Sequence, residues 1–116
     1  MDVILKEEIT KEMAAQIYQA YPFLWGKFGR NGYERTAEDN MHHLNHLELA
    51  YEMGDINLFL DYTKWLQGIL TSRNVGTDLI VDNFNRLIEV IPEKTEQKEA
   101  DAYLHCLNQA VLLLKR

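Results

Sequence analysis

What most constrains this chain is where a regular element can be interrupted. Its only prolines are Pro22 and Pro92, and its six glycines are residues 26, 29, 32, 54, 68 and 76. Proline inside a helix loses a hydrogen bond and meets the carbonyl four residues back, and glycine weakens a helix or ends it. Between these breaks, apolar residues recur every three or four positions, the period of an α-helix. No segment alternates as a half-buried strand does, and there is no internal repeat or low-complexity linker. The expected fold is all-α, a compact bundle of four to five antiparallel helices joined by short connections.

The first segment runs from about Asp2 to Tyr21, with Ile9, Met13, Ile17 and Ala20 as its stripe. Thr10 can cap a restart, which would make the first nine residues a separate turn or arm. In PFLWGKFGRNG, three glycines in seven residues argue against a long helix. The segment 23–32 reads as one helical turn pinned by Phe23, Leu24, Trp25 and Phe28, plugging one end of the core. A ligand-binding lip is the sharper alternative. A long helix then spans about Tyr33 to Met53, with Gly54 as a left-handed C-terminal cap and Asp55 capping the next helix.

That next helix covers about Ile56 to Ser72. Phe59, Tyr62, Trp65 or Leu66, and Ile69 give it a stripe wide enough for a central helix. Gly68 inside it costs about 1 kcal/mol relative to alanine, so close contact with a neighbouring helix is the expected reason for it. A turn at Arg73–Gly76 leads to Thr77 as N-cap. The following helix carries Ile80, Phe84, Leu87 and Ile91, and Pro92 is expected to stop it. Thr95 opens the last helix, which ends near Lys115 and has Ala100, Tyr103 or Leu104, Leu107, Ala110 or Val111, and Leu114 on one side.

A length of 116 residues suits one domain, residues 1–116. With 47% hydrophobic and 26% charged residues, the composition is globular rather than disordered. A net charge of −6 with no basic tract argues against nucleic-acid binding and disfavours docking on anionic membranes. Asp2 and the Lys6–Glu8 charges interrupt the N-terminal apolar run, so no signal peptide is expected. Ala110–Leu114, the longest apolar stretch, is too short to span a bilayer. The expected location is cytoplasmic. The single cysteine, Cys106, has no partner for an internal disulfide and reads as a small core residue.

The stretch ERTAEDNMHHLNHLELAYEMG, residues 34–54, holds three of the four histidines. At 100° per residue, Ala37, Met41, Leu44, Leu47 and Tyr51 share an arc of about 80°, the expected core face. His42 and His46 fall on a second arc with Leu49 and Met53, whereas His43 points elsewhere, near Asp39 and Ala50. Glu38 is four before His42, and Asp39 is four before His43. Carboxylates at that spacing orient histidine rings or hold their charge. The H-x-x-x-H pair can bind a divalent metal from one helix face, but a site needs further ligands, and His105 is the only other histidine. The plainer reading places His42 and His46 against another helix or across a dimer interface, with association depending on pH between about 5.5 and 7. An exposed His43 would be the phosphotransfer candidate, although the lysine and small residues usual beside such a site are missing.

Within NLFLDYTKWL, Asp61 is expected to face solvent or cap a helix, and Tyr62 to be core with its hydroxyl at the edge. No phosphate loop, serine nucleophile elbow, paired cysteines or dinucleotide fingerprint is present, so catalysis is not expected. A tetrapyrrole pocket of globin type would need a proximal histidine and a pocket aromatic at a spacing that does not align here. No cofactor is expected.

The run ERTAEDNMHHLNHLELAYEMGDINLFLDYTKWLQGILTSRNV resembles a helical segment of bacterial regulatory proteins, which can precede a cobalamin-binding or other sensor module. The resemblance rests on Glu38–Asp39, His43–Leu44, Gly54–Asp55, Leu58–Phe59, Asp61–Tyr62, Trp65 and Arg73. The chain is also similar to small proteins of spore-forming bacteria. No cobalt-ligand motif is visible to carry over, and no cobalamin-binding domain is expected within these residues. The resemblance implies a relative of a regulatory helical module. The expected function is a non-catalytic regulatory or sensory protein-interaction module that self-associates as a homodimer. The alternative is a small-ligand or metal-binding protein using His42 and His46.

Overall fold

The first helix begins where a carboxylate can hold its free end. The Asp2 side chain accepts a hydrogen bond from the Leu5 amide at 2.7 Å, the geometry of an N-cap. The computed structural model describes all 116 residues and contains five helices and no strand. These are α1 (Val3–Ala20), α2 (Phe23–Met53), α3 (Asn57–Ser72), α4 (Thr77–Lys94) and α5 (Gln97–Leu114). The all-α expectation holds.

The chain divides into two compact units, Met1–Asn45 and His46–Arg116, with the division inside α2. In the first unit, α1 is continuous through Thr10. The Thr10 hydroxyl donates to the Glu7 carbonyl at 3.0 Å, so it serves a helix already formed and caps no restart. Lys6 Nζ donates to the Asn45 side chain at 3.1 Å, and Tyr18 meets Tyr33 edge-on at 5.2 Å. One number rises as the other falls, so α1 and this part of α2 run antiparallel.

The aromatic–glycine segment is helical but broken once. Gly29 leaves helical backbone, at φ 62° and ψ −158°, so α2 is two helical pieces joined at a kink, a short one before Gly29 and a long one after it, as the glycines predict. That φ is open to glycine and strained for other residues. Leu24 is buried with Ile17 and Tyr18. Phe23, Trp25 and Phe28 are exposed, so the expected aromatic plug is reduced to one leucine.

In the second unit, α3, α4 and α5 pack on one another. Phe59 meets Phe84 at 5.5 Å, and Gln67 Nε2 donates to the Thr77 hydroxyl at 3.1 Å, so α3 and α4 are antiparallel. The core of this unit includes Phe59, Leu66, Ile80, Phe84, Leu87, Ile91, Tyr103 and Leu107. Leu66, not Trp65, is the buried member of the expected pair.

Three expectations about helix ends need correction. Thr77 is the first residue of α4 rather than its cap, and Gly76 holds the cap position without a side-chain bond. Pro92 lies inside the last turn of α4, where a missing N–H costs one hydrogen bond and helical backbone continues to Lys94. Thr95 closes α4 instead of opening α5. Its amide and its hydroxyl both donate to the Ile91 carbonyl at 3.0 Å. Gly68 is corrected too, because a β-carbon there would meet nothing within 4 Å.

Candidate functional site

The segment that carries the histidines ends as the sequence predicts. Gly54 has φ 62°, its amide donates to Tyr51 at 3.2 Å, and the Asp55 amide donates to Ala50 at 3.0 Å. These paired bonds form a Schellman C-cap, which lets the chain turn sharply. The Asp55 carboxylate then accepts from the Asn57 amide at 2.9 Å and starts α3.

The buried face of α2 is rotated from the expected arc. Leu44 and Leu47 are buried as predicted, but Ala37, Met41 and Tyr51 are only partly covered. Asn40, His43 and Ala50 are buried in their place. A hydrophobic count passes over Asn40 because its amide is polar. The Asn40 Nδ2 donates to the Thr36 carbonyl at 2.9 Å, and that bond makes burial tolerable. His43 is buried, so it cannot be the exposed phosphotransfer histidine considered from the sequence.

The second arc lies on the surface. His42 is exposed and His46 half-buried. The His46 ring stacks on Tyr62 at 3.8 Å between centroids and 13° between planes. Tyr62 in turn lies 6.1 Å from Trp65, at 30°. Leu49 and Met53 follow His46 by three and seven residues on α2, at helical spacing. They retain 43% and 67% of their accessible surface, and Trp65 retains 60%. The second unit therefore presents an aromatic stack with exposed apolar groups on both helices that contribute to it. Asp61 is exposed and Tyr62 buried, both as expected.

Glu38 is exposed and Asp39 half-buried. No group of three or more His, Cys, Asp or Glu side chains is placed to hold a metal ion. Cys106 is buried on α5, and burial pushes its thiol above the ordinary range, which keeps it protonated and poorly nucleophilic. Tyr103, also buried, is raised above the usual tyrosine range by burial first and then by the charge of Glu99, to which its hydroxyl donates at 3.4 Å. No helix is long and apolar enough to cross a membrane.

The exposure of Trp65 is not resolved by the sequence, which leaves Trp65 and Leu66 as alternatives for the stripe. Trp65 and Leu66 are adjacent and both apolar, and only the packing of α3 on α4 and α5 selects between them. The signal available was Lys64 beside Trp65, a polar neighbour that widens the solvent side. No family model matches this chain, and neither a curated protein nor a solved structure matches it.

Proposed function

We propose that this chain is a non-catalytic, regulatory or sensory protein-interaction module that self-associates as a homodimer. The observation that carries this reading is the exposure of Trp65, Leu49 and Met53 around the His46–Tyr62 stack. Tryptophan and tyrosine supply large, stiff contact area and dominate binding energy at protein interfaces. Leaving such groups in water forgoes about 25 cal/mol for each Å² of apolar surface that a partner could cover. The resemblance to helical segments of bacterial regulatory proteins points the same way. The negative charge of the chain agrees with a protein partner rather than a nucleic acid.

Light scattering over a concentration series tests this. Wild type is expected to approach twice the mass of the chain, and Trp65→Glu to remain monomeric with its helix content unchanged. Repeating the series between about pH 5.5 and 8 tests whether a histidine lies in the interface, since histidine changes charge there. A monomer at every concentration and pH defeats the homodimer. Stoichiometric metal in untagged protein, lost in His42→Ala/His46→Ala, would replace the interaction reading by metal binding.

A further inference from the structure

The run PFLWGKFGRNGY, residues 22–33, keeps three large aromatic side chains in water. Phe23, Trp25 and Phe28 retain 59, 47 and 39% of their accessible surface. They do not stand on a loose loop. Trp25 stacks on Tyr33 at 5.2 Å and 12°, and Tyr18 meets both rings edge-on at 4.7 and 5.2 Å. Beneath them Ile17, Tyr18 and Leu24 form a buried cluster. A second feature is charge. Of the chain's 12 Lys and Arg and 18 Asp and Glu, this run holds Lys27 and Arg30 and no acid, so it is +2. The remainder has ten bases against 18 acids, or −8. Lys27 Nζ stands 5.2 Å over the Phe28 ring. Arg30 lies 3.5 Å from Glu34 in a pair whose side chains are both mostly exposed, so solvent weakens that contact and a partner can compete for it.

We propose that this surface of the first unit is a docking site for an acidic polypeptide segment bearing large apolar side chains. Aromatic rings held rigidly beside an arginine and a lysine are the composition of an interface hot spot. Charge selects the occupant. An acidic segment is repelled by the −8 remainder and attracted here, so electrostatics orients it onto this run. An anionic bilayer fits less well. Interfacial helices present a continuous apolar face, whereas this run starts at Pro22 and kinks at Gly29. The site uses no residue of the His46–Arg116 unit, so it goes beyond the homodimer reading and stands or falls separately.

The test is selection of a random-peptide phage library on the full chain, followed by fluorescence anisotropy with the recovered peptides synthesised and dye-labelled. Recovered peptides are expected to combine Asp or Glu with Phe, Trp or Leu. Their affinity should fall about tenfold or more in Lys27→Glu/Arg30→Glu and in Phe23→Ser, weaken with added salt, and be unchanged by Trp65→Ala. The three altered side chains are exposed, and far-ultraviolet circular dichroism checks that the helices persist. The proposal is overturned if no peptide is recovered, if the peptides lack acids, or if both variants bind as wild type does. Sedimentation with phosphatidylserine vesicles that the charge-reversed variant loses would also overturn it, by assigning the surface to lipid.

Discussion

Gly32 and Gly68 both lie inside helices and have opposite reasons to be glycine. A β-carbon on Gly32 would collide with the Phe28 β-carbon and would come within 2.5 Å of the Tyr18 hydroxyl. That hydroxyl also hydrogen-bonds the Thr36 side chain, which in turn donates to the Gly32 carbonyl at 2.8 Å. Gly32→Ala should destabilise the protein by about 1–3 kcal/mol, the cost of overpacking. Gly68 faces open space, so Gly68→Ala should stabilise it by about 1 kcal/mol through helix propensity alone. Urea unfolding of the two variants reads the difference, and a shift of the same sign in both would defeat this account. From sequence, close packing is expected at Gly68 and a turn at Gly32, and the structure reverses the packing. The crowding at Gly32 comes from Phe28, next to the Gly29 kink, and from Tyr18 on α1.

At the scale of elements, the α2–α3 junction was the most legible part of the chain. Gly54 takes the left-handed conformation because the next helix must start within a few residues, and glycine adopts it without a β-carbon clash. The α3–α4 turn solves the same problem with Asn74 at φ 64°. Its amide donates to Thr71 at 3.1 Å, and the Val75 amide donates to Leu70 at 2.9 Å. A turn over Arg73–Gly76 is legible in the sequence, but the left-handed residue within it is not. Asparagine tolerates that conformation, although glycine is the usual signal. Gly54→Ala should therefore cost about 1 kcal/mol despite the open space around the site, because the strain is in the backbone. Thermal unfolding of Gly54→Ala beside Gly68→Ala separates backbone strain from helix propensity. Equal melting temperatures would show that φ at residue 54 carries no penalty.

At the scale of the whole molecule, two buried tyrosines link stability to alkaline pH. Burial raises Tyr103 and Tyr18 above the ordinary tyrosine range, and for Tyr103 the Glu99 carboxylate adds to the effect. The folded protein thus keeps phenolic protons that the unfolded chain releases above about pH 10. This contribution is constant below that pH, and stability declines above it. Urea midpoints between about pH 8 and 11 should be level at first and then fall, with a shallower fall in Tyr103→Phe. A wild-type midpoint that rises through that range would refute the sign. The division into two units was not visible in the sequence, because it falls between Asn45 and His46 inside an unbroken helical pattern. No proline, glycine or polar linker marks it.

Spacing of prolines, glycines and apolar residues was enough to settle that this protein is all helical, where most of its helices begin and end, and that Leu49 and Met53 lie off the core face of α2. Those properties follow from local chemistry: a fixed period, a missing N–H and a left-handed φ. The sequence also placed the histidines correctly relative to one another around the helix axis. Only the tertiary structure decided that His43 and Asn40 are buried, that Trp65 is outside while Leu66 is inside, and that His46 stacks on Tyr62. The helical period states which side chains share a face, but the approach of other helices determines which face loses water.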